Sequence, residues 1–475
     1  MMRCAIAILM LTSVASGADY PALKYDPGTP SPLVQRTMKA LATSTKEKPN
    51  TVRILFYGQS ITEQKWAELV VEDLKRRYPT ANIDTENRAL GGFASQMLVH
   101  TAESDLYPFM PDLLIFHVYG AHNTYEDIIR RTRERTSAEI LIQTDHVTKP
   151  ADFTEETDPA KLPPAGKHWD AFMNHNHLPS MAKKYQAAIC DQRAMWKHYL
   201  KENKLEPKSL LKDSVHLNAH GEFLMAECVK ASLRYDPQCK TIPAEAWQTV
   251  VDVEVGKPIK FTGVAAGLFV RNQKFDMTVQ VDGKKPSEHA GSWSFSRSKQ
   301  QPGGKWPIVA GFRPTKHLEN GTWTVIITLT DKPKVSAFSM KYNKYNGGFG
   351  SVELLEPKLL AIMDEESQID EGSGTTDKPF VAKSGAFTIQ PEHWNIEYAL
   401  ALAGAKPIPK EVVGQFKSVL NGFDQRSIDL SRHQGVMRWS VVNGLPNEKH
   451  TIVFKGEIGT GVQLLIHSPP LPPAK

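Results

Sequence analysis

The sequence predicts an α/β chain, in which a mainly parallel sheet covered by helices is followed by an all-β sandwich region. Up to about residue 240, short apolar runs alternate with longer segments of helical spacing, a pattern typical of parallel sheets buried on both faces. From Val250 onward, short alternating runs are separated by turn residues, which is typical of a β-sandwich. A length of 475 residues also favours more than one domain.

The elements of the first region follow from the apolar pattern in chain order. Strands are predicted at residues 52–57, 81–89, 113–119 and 139–144, and helices at residues 61–78, 125–136, 180–203 and 221–233. In sheets of this class, sites lie beyond the carboxyl ends of the strands. The residues in that position are Ser60, Gly92, the segment 120–123, Asp145 and His146. We therefore expect a site near these residues.

A long insertion follows the fourth predicted strand. Residues 146–179 are polar and rich in proline, and a loop of this length in a compact domain is often an active-site lid or a binding loop. His168, His175 and His177 lie in it, but their spacing matches no common pattern of metal ligands. We expect these histidines at the surface or in contact with a substrate, and we expect no bound metal.

The first residues resemble an export signal. A short basic start at residues 1–3 precedes a largely apolar run at residues 4–14, and small residues follow up to Ala18. The apolar run is too short to span a bilayer. The sequence therefore predicts a signal peptide at residues 1–18 and a secreted or periplasmic protein without membrane insertion.

The charge of the chain excludes one class of partner. The formal net charge is only +5, and no block of Lys and Arg indicates binding to nucleic acid. The cysteines that follow the predicted signal, Cys190, Cys228 and Cys239, do not have the spacing of a zinc site. We expect a partner that is neither nucleic acid nor membrane.

Two short segments carry residues for nucleophilic catalysis. Ser60 follows a predicted strand at the start of a predicted helix, where unpaired backbone N–H groups favour negative charge. The alternative is that Ser60 only caps the helix. Asp213 and His216 stand three residues apart before another predicted helix, and the alternative there is a helix-entry carboxylate and a surface histidine. Together the three side chains supply the nucleophile, the base and the orienting acid of a serine hydrolase.

These residues resemble the SGNH (GDSL-type) hydrolase family over about residues 52–235. Gly58-Gln59-Ser60 stands where the family has Gly-Asp-Ser, and Asp213-Ser-Val-His216 matches its last block. Asn87-Arg-Ala-Leu-Gly-Gly92 is similar to its second block, which aligns Gly92 with the glycine of the oxyanion hole. The resemblance implies a three-layer α/β/α fold with a flavodoxin-like parallel sheet, and catalysis without a cofactor.

The third block of the family departs from its usual pattern here. The family has Gly-x-Asn-Asp, whereas this chain has Tyr119-Gly-Ala-His-Asn123, with one extra residue. Asn123 is our candidate for the oxyanion-hole asparagine, His122 is the alternative, and Gly91 is the alternative for Gly92. Gln59 replaces the usual aspartate, which is not part of the triad.

The resemblance implies acyl transfer from an ester through an acyl-enzyme. Secreted members of the family with appended β-sandwiches resemble carbohydrate esterases, so we expect an acylated polysaccharide, or a small ester, as substrate and acetyl as the acyl group. One alternative is a lipase or thioesterase with the same triad. The other is a non-catalytic glycan-binding protein on a degenerate hydrolase fold.

The domain boundaries remain to be placed. We predict a lead-in or linker at 19–50, an SGNH hydrolase catalytic domain at 51–240, a β-sandwich module at 245–357, a linker at 358–386 and a second β-rich module at 387–475. The segment that begins at Leu318 resembles the segment that begins at Leu445. The chain therefore has either two related modules or one sandwich with an insertion between its halves.

Overall fold

A computed structural model provides the coordinates. It describes residues 20–162, 169–240, 246–271, 274–289, 292–297, 321–329, 332–343, 348–354, 373–375, 378–381, 388–389, 395–402, 412–430, 436–459 and 461–468. The predicted signal peptide lies outside the described residues, as does His168 of the insertion. Between residues 321 and 420, only the backbone of the strands is described.

Five parallel strands form the first sheet, in the order β2-β1-β3-β4-β5. The strands are β1 Thr51–Gly58, β2 Asn82–Asn87, β3 Leu113–His117, β4 Glu139–Gln143 and β5 Ala188–Cys190. This order is that of flavodoxin-like sheets. The predicted fold class is therefore confirmed for the first region.

Helices cover both faces of this sheet. They are α1 Gln35–Ala42, α2 Trp66–Arg77, α3 Ser95–Asp105, α4 His122–Arg135, α5 Trp169–Phe172, α6 Leu178–Tyr185, α7 Gln192–Glu202 and α8 Ala219–Ser232. Residues of α1, α2, α7 and α8 pack in the core on one face, and residues of α3, α4 and α6 pack in the core on the other. The domain thus has three layers, as predicted.

Side chains of β1 alternate between the two faces of the sheet and therefore pack in different cores. Ile54 and Phe56 lie in the first core, whereas Leu55 and Tyr57 lie in the second, because successive side chains of a strand point to opposite faces. All four are at most 1 % exposed. Burial of each such side chain stabilises the fold by roughly 1.5–3 kcal/mol.

The single long helix predicted at residues 180–203 is wrong. Helix α6 ends at Tyr185, and Gln186 adopts the left-handed conformation with φ of +51°. The short strand β5 follows, and the side chain of Asp191 then caps α7 by accepting a hydrogen bond from the N–H of Ala194. The apolar spacing persists through all three elements, which is why the pattern alone indicated one helix.

The irregular lead-in predicted at residues 19–50 is wrong for its middle part. Helix α1 lies there, and the side chains of Val34, Met38 and Leu41 are at most 1 % exposed in the first core. Ser31 caps the 3₁₀ turn that precedes the helix. This segment therefore belongs to the α/β domain.

The second region is a β-sandwich, as predicted. Its strands are β6 Gln248–Asp252, β7 Ile259–Gly263, β8 Ala265–Arg271, β9 Lys274–Val281, β19 Gln425–Asp429, β20 Val436–Val442, β21 Glu448–Glu457 and β22 Gln463–His467. They form two four-stranded antiparallel sheets, β19-β9-β21-β7 and β20-β8-β22-β6. Apolar side chains from both sheets, such as Leu268, Met277 and Phe454, share one buried cluster.

Between the halves of this sandwich the chain forms two further sheets. Their strands are β10 Trp293–Arg297, β11 Gly321–Leu329, β12 Lys332–Asn343, β13 Gly348–Leu354, β14 Ser373–Thr375, β15 Lys378–Val381, β16 Thr388–Ile389, β17 Asn395–Leu402 and β18 Val412–Leu420. One sheet has the order β10-β18-β17-β11-β12-β13, and the other has the order β14-β15-β16.

The pairing of these strands follows one of the two arrangements that the sequence left open. Strands from both sides of residues 358–386 pair with each other, both in the sandwich and in the six-stranded sheet. The predicted boundary does not separate two sets of sheets, because a strand finds its partner across the sheet and not along the chain. The arrangement is that of one sandwich with an insertion between its halves.

The sandwich packs on the amino edge of the parallel sheet. A guanidinium nitrogen of Arg438 in β20 lies 2.8 Å from a carboxylate oxygen of Asp112, the residue before β3. Arg36 donates a hydrogen bond of 2.6 Å to the side chain of Gln248 in β6. The carboxyl edge, where the predicted site lies, is the opposite edge of the sheet.

Candidate active site

Ser60 lies in a turn directly beyond β1. The N–H groups of Thr62 and Glu63 both donate to the carbonyl of Gln59, at 2.8 and 3.1 Å, and α2 begins only at Trp66. The helix predicted from residue 61 therefore starts five residues later than expected. Ser60 occupies a tight turn between strand and helix, which is a position that presents a side chain beyond the end of the sheet.

Gly58 makes this turn possible. A Cβ atom at residue 58 would overlap both the carbonyl oxygen of His117 and the hydroxyl of Thr62. The Thr62 hydroxyl also donates a hydrogen bond of 3.2 Å to that carbonyl, so the turn is tied to the end of β3. The glycine is required here because the backbones of two strand ends approach each other closely.

The structure brings together Ser60, His216 and Asp213. The Nε2 atom of His216 lies 2.9 Å from the hydroxyl oxygen of Ser60, and its Nδ1 atom lies 2.8 Å from a carboxylate oxygen of Asp213. Ser60 and His216 are 156 residues apart in sequence. A hydroxyl, an imidazole and a carboxylate in this order form the relay that activates a serine nucleophile.

Asp213 is held in the charged form that this relay needs. Its second carboxylate oxygen accepts hydrogen bonds from the N–H groups of His216 at 2.7 Å and Val215 at 2.9 Å. These backbone donors lower the pKa of Asp213 to about 2. The carboxylate stays ionised at neutral pH and can accept a hydrogen bond from the imidazole.

The site is open to solvent. The side chain of His216 is 32 % exposed and that of Asp213 is 48 % exposed, while Ser60 is half-buried. Two described cavities of about 880 and 380 Å³ lie along the edge strand β2, and neither is lined by these three residues. The two cavities therefore do not mark this site, and its interpretation depends on the chemistry of the three side chains.

Gly92 lies in a turn that is tied to the same strand end. The N–H of Leu90 donates to the carbonyl of Gly58 at 2.9 Å, and the N–H of Phe93 donates to the carbonyl of Leu90 at 3.0 Å. Gly92 has φ of +78°, a conformation that favours glycine. The loop with Gly91 and Gly92 is thus anchored two residues before Ser60.

The two candidates in the third block lie in the first turn of α4. Asn123 is exposed, whereas the ring of His122 packs against Phe172 and His177, with centroids 4.9 and 4.8 Å away. His177 belongs to a π-helical turn, Met173–His177, in the insertion. The imidazole of His122 is thus engaged with the insertion, and Asn123 remains our prediction for the oxyanion hole.

Charged side chains bind the insertion to α7. Glu155 accepts hydrogen bonds from Arg193, Lys197 and His175, with distances of 2.6–2.9 Å. Burial alone would raise the pKa of Glu155, but these donors lower it well below its ordinary value. Asp152, which is 3 % exposed, lies 3.3 Å from the same Arg193 guanidinium. The described residues of the insertion are therefore fixed to α7 through Arg193 and Lys197.

A buried polar cluster lies beneath the site. His117 is 1 % exposed, and its Nε2 atom lies 3.2 Å from a carboxylate oxygen of Asp145. Asn174 donates to the other oxygen at 3.2 Å and accepts from the N–H of Asp145 at 2.6 Å. His146 is also 1 % exposed and is bonded to the carbonyl of Val215. Both histidines lie inside the domain, behind the exposed triad.

Sequence reasoning missed two side chains that bind the backbone near the triad. Gln64 makes hydrogen bonds of 3.0 and 2.8 Å with the N–H and carbonyl of Leu217. Asn87, at the end of β2, donates to the carbonyl of Thr62 at 2.6 Å. Gln64 lies in the segment 61–78, which was predicted as a helix. The one available signal was that Gln64 is a polar residue in a segment with apolar residues at helical spacing.

Two further features concern the residues that the structure describes. No group of three or more His, Cys, Asp or Glu side chains there is placed to hold a metal ion. No helix in that part of the chain is both long enough and apolar enough to cross a membrane.

Comparisons with known proteins give structural neighbours only. No family model matches the chain, and no curated protein matches it. Among solved structures, the chain is similar to the acetylxylan esterase Axe2 from Geobacillus stearothermophilus, at 19 % identity and a TM-score of 0.33, over 39 % of this chain and 95 % of that one.

Two other solved structures are similar over the same share of this chain. The acetyl xylan esterase AlAXEase has 20 % identity and a TM-score of 0.32, over 38 % of this chain and 100 % of its own. A GDSL-like lipase from Parabacteroides merdae has 18 % identity and a TM-score of 0.31, over 38 % of this chain and 96 % of its own.

Proposed function

We propose that this protein is a serine hydrolase of carboxylic esters. The observation that carries the proposal is the relay from Asp213 through His216 to Ser60, with successive distances of 2.8 and 2.9 Å. The relay stands beyond the carboxyl ends of the strands, where ligands bind in open α/β sheets. The alternative roles, a helix-capping serine and a surface histidine, do not explain why Ser60, His216 and Asp213 are hydrogen-bonded in this order.

The reaction proceeds in two steps. The hydroxyl oxygen of Ser60 attacks the ester carbonyl carbon while Nε2 of His216 takes the hydroxyl proton. The tetrahedral intermediate collapses, the carbon–oxygen bond to the alcohol breaks, and His216 gives the proton to the leaving oxygen. Water then attacks the acyl-serine, His216 takes a proton from it, and the carboxylic acid leaves as the Ser60 hydroxyl is restored. Asp213 stabilises the imidazolium in both steps.

The oxyanion is held by the N–H groups of Ser60 and Gly92 and by the side chain of Asn123. The loop that carries Gly92 is anchored to Gly58, which supports its place beside Ser60. The exposed Asn123 is the available side chain of the third block, because His122 packs against the insertion. Each such donor contributes about 3 kcal/mol to stabilisation of the transition state.

The proposed substrate is an acetyl or other small acyl ester on a carbohydrate. Two features support it: the triad is exposed enough for a bulky alcohol group to reach it, and the insertion beside it is polar. A lipase would need an apolar site for a long acyl chain. We also propose that the protein is secreted or periplasmic, on the basis of residues 1–18.

The test is hydrolysis of p-nitrophenyl acetate and p-nitrophenyl octanoate by the full chain, beside the variants Ser60→Ala and His216→Ala. We expect acetate to be the better substrate and each variant to lose activity by at least about 10³-fold. Ser214→Ala, on the exposed part of the same loop, is the matched control and should keep wild-type activity. Acetylated polysaccharides are the next substrates.

Two results would contradict the proposal. A preference for octanoate would favour the lipase alternative. If the wild type hydrolyses neither ester and a fluorophosphonate fails to label Ser60, the glycan-binding alternative is favoured, and binding to polysaccharide should then be equal in Ser60→Ala and the wild type.

A further inference from the structure

The loop that carries the acid and the base is closed on itself. Leu211 and Leu217 form an isolated antiparallel bridge, and the N–H of Lys212 donates to the carbonyl of His216 at 2.9 Å. Asp213 accepts from two N–H groups within the loop. The loop is therefore a compact unit, and the direction of the His216 ring depends on how that unit is attached to the domain.

His146 attaches one side of the loop to the end of β4. Its Nε2 atom lies 2.8 Å from the carbonyl oxygen of Val215, and a carbonyl can only accept, so Nε2 carries the proton. The ring is 1 % exposed and packs against Trp196, with centroids 5.4 Å apart. Burial, together with the nearby His117, lowers the pKa of His146 to about 4. The ring is thus neutral, and its tautomer is fixed.

The backbone of His146 is itself fixed. Arg193 donates to the carbonyl of His146 at 3.2 Å, and the preceding residue, Asp145, donates its N–H to Asn174 at 2.6 Å. Arg193 is also the residue that holds Glu155 of the insertion. The ring of His146 therefore provides a rigid attachment for Val215 and not a mobile contact.

Gln64 attaches the other side of the loop to the turn that carries Ser60. Its Oε1 atom accepts from the N–H of Leu217 at 3.0 Å, and its Nε2 atom donates to the carbonyl of the same residue at 2.8 Å. Two bonds from one amide therefore hold the peptide groups on both sides of the Leu217 Cα atom. Nε2 also donates to Glu222 in α8 at 3.2 Å. The residue after His216 is therefore tied to a residue four positions after Ser60.

We propose that Gln64 and His146 are positioning residues for His216. They hold the residues on either side of it, so that the imidazole keeps hydrogen-bond distance to the hydroxyl of Ser60. Both act through backbone atoms beside the base, at 153 and 69 residues of sequence separation. The inference rests on the proposed esterase function for its kinetic readout, and has a second readout that does not depend on activity.

The kinetic test uses His146→Phe, which keeps a ring against Trp196, and Gln64→Met, which keeps the length of the side chain. A displacement of about 1 Å at a reacting group lowers rates by about 10²-fold. We expect each variant to lower kcat on p-nitrophenyl acetate by about 10- to 100-fold, with KM changed less than about twofold. His146→Gln can place an N–H near the position of Nε2, and it should recover a large part of kcat.

A double-mutant cycle separates positioning from a general loss of structure. In the His216→Ala background there is no base to position, so adding His146→Phe or Gln64→Met should not lower the residual rate further. His198→Phe, a half-exposed histidine on α7, is the matched control and should keep wild-type kcat. A further loss in the His216→Ala background would overturn the inference.

The second readout is the imidazole of His216 followed by ¹H–¹⁵N NMR, assigned by its loss in His216→Ala. Since Nδ1–H donates to Asp213 in the wild type, its proton resonates far downfield, and we expect both variants to weaken or shift that signal. An unchanged signal together with unchanged kcat would overturn the positioning role. If the wild type cleaves no ester but the signal moves as expected, the proposed function fails and the positioning role stands.

The pair of variants keeps the test decisive. His146 is buried, so His146→Phe is first checked for folding by its thermal unfolding midpoint. Gln64 is only half-buried at the turn, and Gln64→Met tests the same role if the other variant does not fold. Wild-type kcat in a folded Gln64→Met protein would count against the proposal.

Discussion

The two edges of the parallel sheet use polar side chains in opposite ways. At the amino edge, Glu139 accepts from the N–H groups of Arg36 and Thr37 at 3.0 and 2.8 Å. Arg36 in turn donates to the carbonyls of Asp112 and Ser137 at 3.0 and 2.7 Å. The sandwich packs against this edge, where Glu139 and Arg36 are buried and bonded to backbone groups.

At the carboxyl edge, the charged and polar groups are divided between two levels. His117, Asp145 and His146 lie buried behind the site, whereas Asp213 and His216 are exposed to about a third or more of their surface. The two edges therefore differ in how far their charged side chains are exposed to solvent. The charges at the amino edge lie in the contact with the sandwich, whereas Asp213 and His216 stay accessible to solvent, as the proposed reaction requires.

Matched Asp→Asn substitutions at the two edges test this comparison, and the larger effect is expected at the carboxyl edge. Asp213→Asn keeps an oxygen for the N–H groups of the loop but removes the charge that stabilises the imidazolium and selects the tautomer of His216. We expect kcat on p-nitrophenyl acetate to fall by about 10³- to 10⁴-fold. The urea midpoint should change little, because the side chain is exposed.

A retained kcat in Asp213→Asn would remove the triad from the mechanism. Loss of activity together with a large fall in the urea midpoint would instead place the main role of this carboxylate in the stability of the loop.

Asp112→Asn is the counterpart at the amino edge. Burial alone would raise the pKa of Asp112, but the guanidinium of Arg438 outweighs it and lowers that pKa. The substitution leaves Arg438, which is 6 % exposed, without its charge partner. We expect the free energy of unfolding to fall by about 3 kcal/mol, while kcat per folded molecule stays at the wild-type value.

Urea unfolding and esterase assays on the same preparation check this result. Arg76→Gln, on the exposed end of α2, is a surface ion-pair control that should cost less than about 1 kcal/mol. If Asp112→Asn lowers kcat as strongly as Asp213→Asn, the two edges are coupled and the comparison fails.

The local pattern of the sequence predicted the fold class and marked Ser60, Asp213 and His216 as candidates, whereas the resemblance to the SGNH family implied that these three side chains meet. Asp213 and His216 sit within one loop that closes on itself, so their spacing alone places an acid beside a base. The apolar run of β1 has buried side chains on both faces and therefore marks the strand that ends before Ser60. Both signals need only a few neighbouring residues.

The missed features depend on contacts far along the chain. Gln64 binds backbone atoms of Leu217, and Asn87 binds the carbonyl of Thr62; a backbone partner leaves no pattern of residue types to detect. Helices α6 and α7 were predicted as one because β5 is only three residues long and does not interrupt the apolar spacing. The start of α2 was predicted too early because a hydrogen bond from Thr62 to the carbonyl of His117 holds residues 59–63 in a turn. This contact with β3 cannot be detected from the local apolar spacing.

The smallest expected effect is on the pH dependence of the free energy of unfolding, and it also differs between the two edges. His467 ends strand β22 of the sandwich and packs against the α/β domain, and burial there lowers its pKa to about 3. The unfolded chain takes up a proton below about pH 6.5 while the folded chain does not, so stability rises with pH between about 3 and 6.5. At pH 5 this histidine costs about 2 kcal/mol relative to its contribution at pH 7 or above.

His467→Gln removes this titration and keeps a side chain that can donate to the carbonyl of Arg133, which His467 contacts at 3.3 Å. We expect the loss of unfolding free energy between pH 7 and pH 5 to be about 2 kcal/mol smaller in the variant than in the wild type. Asp213, whose pKa is lowered to about 2, stays charged between pH 7 and pH 5, and the stability that its charge provides is lost only below about pH 4. Asp213→Asn should therefore leave the difference between pH 7 and pH 5 unchanged. An equal change in both variants would mean that the exposed edge, too, carries acid-sensitive stability, and the division between the edges would be lost.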